Sequence, residues 1–191
     1  MPDPQELDRE CVGRAQAGDE EAFTELIGRY KRPILNFVYR LTGDAVGAED
    51  IAQETFVRAY RNLHRFSFRQ SGDRFSSWLF QIARHAALDA LRHRQRHPTQ
   101  PLDTTPEREL SARVPGPAEQ AVNKEEDALI RAAVAGLPED QRTALILSVY
   151  DDLSHDEIAA VMKTTAKSVE ARLYRARQYL RVRLKSLPAL S

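Results

Sequence analysis

Apolar residues recur at intervals of three and four along most of this chain, which is the repeat of an α-helix with one buried face. One such series consists of Phe23, Leu26, Ile27 and Tyr30. A later series begins at Ile51 and continues through Thr55, Val57, Ala59 and Tyr60. No segment shows the sustained alternation of apolar and polar residues that is typical of a half-buried β-strand. The pattern therefore predicts an all-α fold.

The helical repeat stops between residues 98 and 124, where the sequence contains five prolines and no aromatic residue. We interpret this segment as a flexible, acidic and proline-rich linker. The repeat returns at Ala128 and continues to Leu184. The chain is therefore predicted to contain two small helical domains, and its segments are an acidic N-terminal segment at 1–18, a domain at 19–97, the linker at 98–124 and a domain at 125–187.

The second domain contains the pattern of a helix-turn-helix. Ser154 is followed three residues later by Glu157, which is the arrangement of a capping box that starts a helix. A further helix is predicted to begin near Thr165 or Ala166. Its apolar residues predict one buried face formed by Val169, Leu173, Ala176, Leu180 and Leu184. The opposite face is basic, as in helices that enter a DNA major groove, although an ordinary charged α-hairpin has the same pattern.

The charges are unevenly distributed although the net charge is zero. Residues 74–97 contain five Arg and three His against one Asp, and residues 163–187 contain eight Lys or Arg against one Glu. Residues 1–25 and 99–127 are acidic instead. Either basic segment alone is typical of a solvated helix face. Their repetition favours two surfaces that face a polyanion.

Composition excludes several classes of protein. No stretch approaches the roughly 20 apolar residues of a membrane-spanning helix, and the first residues, MPDPQELDRE, are too acidic for a signal peptide. The single cysteine, Cys11, cannot form an internal disulfide or a thiolate cluster. We therefore expect a soluble, cytoplasmic protein that binds no metal and no cofactor.

Three segments resemble the extracytoplasmic-function (ECF) sigma factors, a two-domain class of the sigma-70 family of RNA polymerase subunits. They are AEDIAQETFVRAYRNL, FSSWLFQIARHAALDALRHRQR and DDLSHDEIAAVMKTTAKSVEARLYRARQYLR, and they follow the order of that family. The resemblance implies a protein that binds core RNA polymerase, directs it to promoters and opens the DNA, in a stress or environmental response. It also implies a cognate anti-sigma factor as a partner.

The resemblance places two functions in the first domain. The first is binding to the β′ clamp of the polymerase, implied for Asp50, Gln53, Glu54 and Phe56. The second is recognition and melting of the −10 element, which also involves the loop 65–74 and is implied for Phe66, Phe68, Phe75, His85, Asp89, Arg92, Arg94 and Arg96. Bases that leave a duplex need stacking surfaces and neutralised phosphates, which aromatic and basic side chains supply. Trp78 is interpreted as either a core residue or a stacking surface.

Recognition of the −35 element is assigned to the second domain, which in this family also contacts the β flap. The implied residues are Lys167, Ser168, Glu170, Ala171, Arg172, Tyr174, Arg175 and Arg177. Arg175 is the main candidate for a base contact, whereas Arg172 and Arg177 are expected to hold phosphates. Glu170 either accepts a hydrogen bond from a cytosine or pairs with an arginine of its own helix.

Two other functions fit parts of the sequence. A helix-turn-helix regulator would bind operators without polymerase, but it would not need the first two motifs. A metal-dependent nuclease would need a cluster of carboxylates, for which the candidates are Asp50, Glu54, Asp151 and Asp152. These carboxylates fall in different predicted domains and no histidine lies at ligand spacing. We therefore expect that the chain is not an enzyme.

Overall fold

The computed structural model describes residues 3–68, 73–96, 127–151 and 153–185, and within these ranges it contains helices and no strand. This confirms the all-α prediction. The predicted linker lies outside the described residues, as does Asp152. In chain order the helices are α1 (Pro4–Gln16), α2 (Glu20–Thr42), α3 (Ala45–Asn62), a 3-10 turn (Leu63–Arg65), α4 (Phe75–Arg96), α5 (helical over 127–135), α6 (Glu139–Val149), α7 (His155–Met162) and α8 (Ala166–Arg183).

Short polar side chains begin most of these helices. Asp3, Asp19 and Asp44 each precede a helix and accept a hydrogen bond from a backbone N–H of its first turn. Such N-caps satisfy donors that have no partner inside the helix. Helix α2 ends at Gly43, whose φ of 72° lies in the left-handed region that glycine adopts without strain.

The first domain packs around α2, which contacts α1, α3 and α4. Ile34, Phe37, Val38 and Leu41 recur on one face of α2 and are completely buried. Phe37 meets Phe80 of α4 edge to face, with 5.3 Å between the ring centroids. These apolar contacts fix the directions in which α3 and α4 present their polar faces.

The second domain contains the helix-turn-helix that the sequence predicts. Ser154 caps α7, and the side chain of Glu157 returns to the backbone N–H of Ser154, so the capping box is present. The turn begins at Lys163, whose φ of 50° is the only positive value among the described non-glycine residues. Thr165 then caps α8 through the backbone N–H of Ser168, 3.2 Å away.

The predicted buried face of α8 is confirmed at four of its five residues, and the fifth, Leu180, is partly buried. Val169, Leu173 and Ala176 are at most 1% exposed, and Leu184 is 9% exposed. Val169, Leu173 and Ala176 pack with buried residues of α6 and α7, including Ile146, whereas Leu184 packs with Ala133 of α5. This packing leaves the opposite face of α8 in solvent.

The two domains pack against each other, α4 against α7 and α2 against α6, and we refer to this packing as the closed arrangement. Among the described residues three ion pairs cross the contact, Arg84 to Asp140 at 2.8 Å, Arg74 to Glu157 at 2.7 Å and Arg92 to Glu139 at 3.5 Å. Buried residues of both domains belong to one hydrophobic cluster. The closed arrangement therefore combines apolar contact with ion pairs.

Candidate functional site

An apolar groove of about 790 Å³ lies between α2 and α3. Its apolar lining comprises Phe23, Ile27, Leu35, Ala52, Phe56, Val57 and Tyr60. Tyr60 is 52% exposed although its ring lies 5.0 Å from that of Phe23. A concave, exposed apolar surface on one chain is typical of a site that binds another protein.

The motif residues of α3 divide around this groove. Gln53 is exposed and Phe56 is nearly buried, and both line the groove. Asp50 and Glu54 are exposed but do not line it, and Glu54 pairs with Arg58 at 2.7 Å. The structure therefore joins two of the four predicted residues to the groove and places the other two beside it.

Two groove residues belong to the apolar series that the sequence shows in α3. The apolar series of α3 correctly predicts Thr55 and Ala59 as buried, but Val57 and Tyr60 are exposed. They continue the apolar repeat on a neighbouring face that no helix of the described chain covers. Both residues belong to the motif AEDIAQETFVRAYRNL, which resembles a polymerase-binding helix. This resemblance was the signal that could have identified them as surface residues.

Aromatic side chains gather where the 3-10 turn approaches α4. The Phe66 ring lies 4.9 Å from those of both Phe68 and Trp78. Phe66, Phe68 and Trp78 are each partly buried, whereas Phe75 is only 1% exposed. Phe75 therefore packs on the buried side of the cluster and presents no surface to a base in this structure. Trp78 belongs to the core by its contacts, and it retains partial exposure.

The polar face of α4 contains the other residues predicted for the −10 element. His85 and Asp89 are exposed and lie one turn apart, as the sequence predicts. Partial burial lowers the pKa of His85, and the cations of Arg84 and Lys163 lower it further. Loss of surrounding water and nearby positive charge both disfavour the protonated imidazole, so His85 is held in the neutral form that can donate and accept hydrogen bonds.

The arginines at the end of α4 have different surroundings. Arg92 approaches Asp89 at 3.6 Å and Glu139 of α6 at 3.5 Å. Arg94 pairs with Asp44, the residue that caps α3. Arg96 is exposed and its side chain donates to the backbone carbonyl of Arg92. Among these three arginines, Arg92 and Arg94 pair with carboxylates of the described residues and Arg96 does not.

The free face of α8 brings together most residues predicted for the −35 element. The exposed members are Lys167, Glu170, Ala171, Tyr174, Arg175 and Arg177. Among the described residues no ion pair joins Glu170 to an arginine of its own helix, so that alternative finds no support in the structure. Ser168 is partly buried and its backbone serves the cap of α8.

Arg172 lies apart from this exposed face. Its side chain is 22% exposed and pairs with Asp140 of α6 at 2.9 Å. The other carboxylate oxygen of Asp140 accepts from Arg84, whose side chain is 12% exposed. Asp140 thus bridges α8 of the second domain and α4 of the first, and Arg172 does not face solvent as a phosphate ligand would.

The carboxylates proposed for a nuclease do not assemble. Within the described ranges no three His, Cys, Asp or Glu side chains are grouped so that they could hold a metal ion. Asp50 and Glu54 lie on α3, whereas Asp151 follows α6 in the other domain. Among the same residues, no helix is long and apolar enough to cross a membrane.

Comparison with protein families gives two matches. Sigma-70 region 2 matches residues 26–97, and sigma-70 region 4 matches residues 127–180. The first match contains α3 and α4, with most of the groove and the aromatic cluster. The second contains the helix-turn-helix and its exposed basic face.

Curated relatives match over nearly their whole length. The chain is 35% identical over 180 residues to the RNA polymerase sigma-H factor of Pseudomonas aeruginosa, which covers 91% of this chain and 92% of that protein. It is 32% identical to the ECF RNA polymerase sigma factor SigW of Bacillus subtilis, with 92% of this chain and 96% of that protein covered.

Solved structures share the fold of both domains. CnrH, in complex with the cytosolic domain of CnrY, superposes with a TM-score of 0.72 at 24% identity, over 95% of this chain and 99% of that one. RpoE of Bartonella quintana, in complex with the anti-sigma factor NepR, gives a TM-score of 0.65 at 22% identity, over 86% and 98%.

Proposed function

Because this chain belongs to the sigma-70 family, in its extracytoplasmic-function group, and is a sigma factor that directs core RNA polymerase to promoters, we propose how its surfaces divide that work. The groove between α2 and α3 binds the polymerase clamp. The aromatic cluster and the polar face of α4 take the −10 element, and the free face of α8 reads the −35 element. Bond formation belongs to the polymerase, so the chain itself carries no catalytic site.

The groove is the observation that supports polymerase binding most directly. It exposes Val57 and Tyr60 beside Gln53, and the acidic side chains of Asp50 and Glu54 stand next to it on the same helix. Such an apolar centre with a charged rim is the usual anatomy of a protein interface. A regulator that binds operators alone would have no need of this surface.

Opening of the −10 element is assigned to neighbouring parts of the first domain. Phe66 and Phe68 are partly exposed and lie within one aromatic cluster, which gives an unstacked base a surface. His85 and Asp89 supply polar groups one turn apart, and Arg96 supplies positive charge. Phe75 contributes through packing, and Arg94 contributes by holding the cap of α3.

We further propose that the chain is cytoplasmic and is held inactive by an anti-sigma factor. Structures of the same fold, CnrH and RpoE, are complexes with the cytosolic domain of CnrY and with the anti-sigma factor NepR. An apolar groove that serves the polymerase would be blocked by any partner that occupied it first. Co-purification of a single partner protein, released when core polymerase is added, would test this.

The polymerase-binding prediction is tested by reversing the character of the groove and of its rim. We expect Tyr60→Asp to abolish binding of the chain to core polymerase, because a carboxylate in an apolar interface loses its hydration without gaining a partner. Asp50→Arg combined with Glu54→Arg should weaken binding by reversing the rim charge. Pull-down with purified core polymerase measures both effects, and circular dichroism measures helix content.

A matched control is Val46→Asp. Val46 is 67% exposed on α3 and does not line the groove, so this change adds the same charge to the same helix. Retained binding in Tyr60→Asp with normal helix content would overturn the assignment of the groove. Transcription from promoter fragments with core polymerase, with and without the chain, tests the sigma activity as a whole.

A further inference from the structure

Helix α1 lies outside the family match, which begins at residue 26, and the sequence predicts only an acidic segment there. In the structure it is a 13-residue helix that is firmly joined to α2. The Asp8 carboxylate is 4% exposed and accepts hydrogen bonds from Arg29 and from the Tyr30 hydroxyl. Val12 is also buried. Burial and the Asp8 hydrogen bond both raise the pKa of Tyr30, so this hydroxyl stays protonated and continues to donate.

One face of α1 points toward residues 63–68 and toward Arg74. These residues include both ends of the loop 65–74, which is predicted to take part in −10 recognition. Gln5, Arg9 and Gln16 are separated by four and seven residues, so their side chains share a face of the helix. At a rise of 1.5 Å per residue, the eleven steps from Gln5 to Gln16 span about 16 Å along the helix axis. That length is enough to reach both sides of the loop at once.

Each of the three side chains contacts a different part of this segment. The Gln16 amide donates to the backbone carbonyls of Leu63 at 2.8 Å and Phe66 at 2.7 Å. The Arg9 guanidinium lies 4.7 Å from the ring centroid of Phe68.

The third contact lies at the end of the loop 65–74. With its oxygen directed at Arg74, the Gln5 amide packs against the guanidinium group of that residue. Arg74 directly precedes α4, so Gln5 holds the residue from which that helix starts. Helix α1 thus contacts Leu63 before the loop 65–74, Phe66 and Phe68 near its start, and Arg74 at its end.

We propose that α1 positions the −10 recognition segment, with Gln16, Arg9 and Gln5 as positioning residues. The inference rests on the proposed role of Phe66 and Phe68 in −10 recognition. The backbone of a short segment loses conformational freedom when it holds a base, and contacts that fix this backbone in advance reduce that loss. Asp8 anchors α1 to α2, which belongs to the core of the first domain. Through α1, the −10 recognition segment is therefore held in a fixed position relative to that core.

The experiment selects promoters from a library with a randomised −10 element, using holoenzyme reconstituted from core polymerase and each variant. Gln16→Leu removes both hydrogen bonds and retains a side chain of similar size. We expect its discrimination between the preferred −10 sequence and single-base variants to fall about three- to tenfold, which corresponds to the loss of one or two hydrogen bonds. The −35 preference and the affinity for core polymerase should not change.

Arg9 is tested by two substitutions that separate stacking from charge. Arg9→Ala should reduce −10 discrimination, and Arg9→Lys should restore less than half of it, since an ammonium group keeps the charge without the planar contact on Phe68. Glu10→Gln is the matched control, because Glu10 is exposed on α1 and makes no ion pair among the described residues. It should leave the −10 profile unchanged.

The outcomes separate this inference from the proposed function. Failure of the wild-type chain to support any promoter-specific transcription would overturn the sigma assignment itself. Normal wild-type selection with an unchanged −10 profile for Gln16→Leu and Arg9→Ala would overturn only the role of α1. An equal loss of transcription on all −10 sequences, with a lowered melting temperature, would show that α1 acts through stability alone and would equally contradict the inference.

Discussion

Arg175 and Glu170 lie on the same exposed face of α8 but carry opposite charges. If Arg175 donates two hydrogen bonds to a guanine, Arg175→Ala should cost about 1–3 kcal/mol of binding and relax the preference at one base pair of the −35 element. Arg177→Ala should instead weaken binding to all sequences alike, because a phosphate contact carries no sequence information. Selection from randomised −35 sequences with holoenzyme distinguishes the two.

Glu170 provides the complementary test. Glu170→Gln removes a negative charge that repels phosphates, so nonspecific DNA binding should tighten. A change in the −35 profile as well would identify Glu170 as a base contact. If the profiles of Glu170→Gln and Arg175→Ala both matched the wild type, the free face of α8 would have no part in reading the sequence.

Exposure at single residues was predictable from the sequence where local periodicity decides it. Arg175 and Tyr174 fall opposite the apolar face of α8, and both are exposed. Arg172 was predicted to hold phosphate, yet it pairs with Asp140, which lies 32 positions earlier in the chain. Contacts between residues so far apart in the chain depend on how the helices pack. The spacing of residues within one helix does not reveal that packing.

The helix-turn-helix depends on how its individual helices begin. Helix α7 has only eight residues and needs its capping box, since few internal hydrogen bonds stabilise so short a helix. Ser154→Ala should destabilise α7 by about 1 kcal/mol. Hydrogen exchange should then be faster at the α7 amides, whereas Ser154→Thr keeps the hydroxyl and should exchange nearly as the wild type does. Equal exchange in all three proteins would contradict the role of the cap.

The sequence predicts those helices best that combine an apolar repeat with a capping signal. Helices α7 and α8 have both, and their predicted starts agree with the structure. Helix α1 was not predicted, because its apolar positions are few and most of its residues are polar. The position of α1 is fixed by the buried Asp8 and by contacts with residues near 63–68. The residues that determine this position therefore lie partly outside the helix, where the pattern of α1 itself does not reveal them.

The two domains together form a molecule in which the polar face of α4 is partly covered. The Gln81 amide donates to a carbonyl of α7 at 3.4 Å, and acidic residues in the first turn of α6 pair with Arg84 and Arg92 of α4. We expect the closed arrangement to open before promoter DNA reaches α4. The sequence predicted the two domains and their functions but not this packing, because the charges that meet come from separate helices.

Asp140→Asn tests the closed arrangement. Removing the charge leaves Arg84, which pairs with Asp140 across the contact, and Arg172, which pairs with it within the second domain, without their shared carboxylate. We expect roughly a fivefold larger open population, since one partly exposed ion pair contributes up to about 1 kcal/mol. The distance between fluorescent labels on the two domains of the full chain should report this opening. Asp156→Asn, which changes an exposed aspartate of α7, is the matched control and should leave the distances unchanged.

The same ion pairs bear on how the free chain responds to salt. A protein that contacts phosphates loses DNA affinity as salt rises, because the counterions released from DNA return to a more concentrated solution. Here rising salt also screens the α6 carboxylates that pair with Arg84 and Arg92 of α4, and so frees arginines for DNA at the same time. The two effects oppose each other. The apparent number of counterions released by the wild type should therefore be smaller than the number of phosphates it contacts. The Asp140→Asn variant is already more open, so its DNA affinity should fall more steeply with salt concentration than that of the wild type.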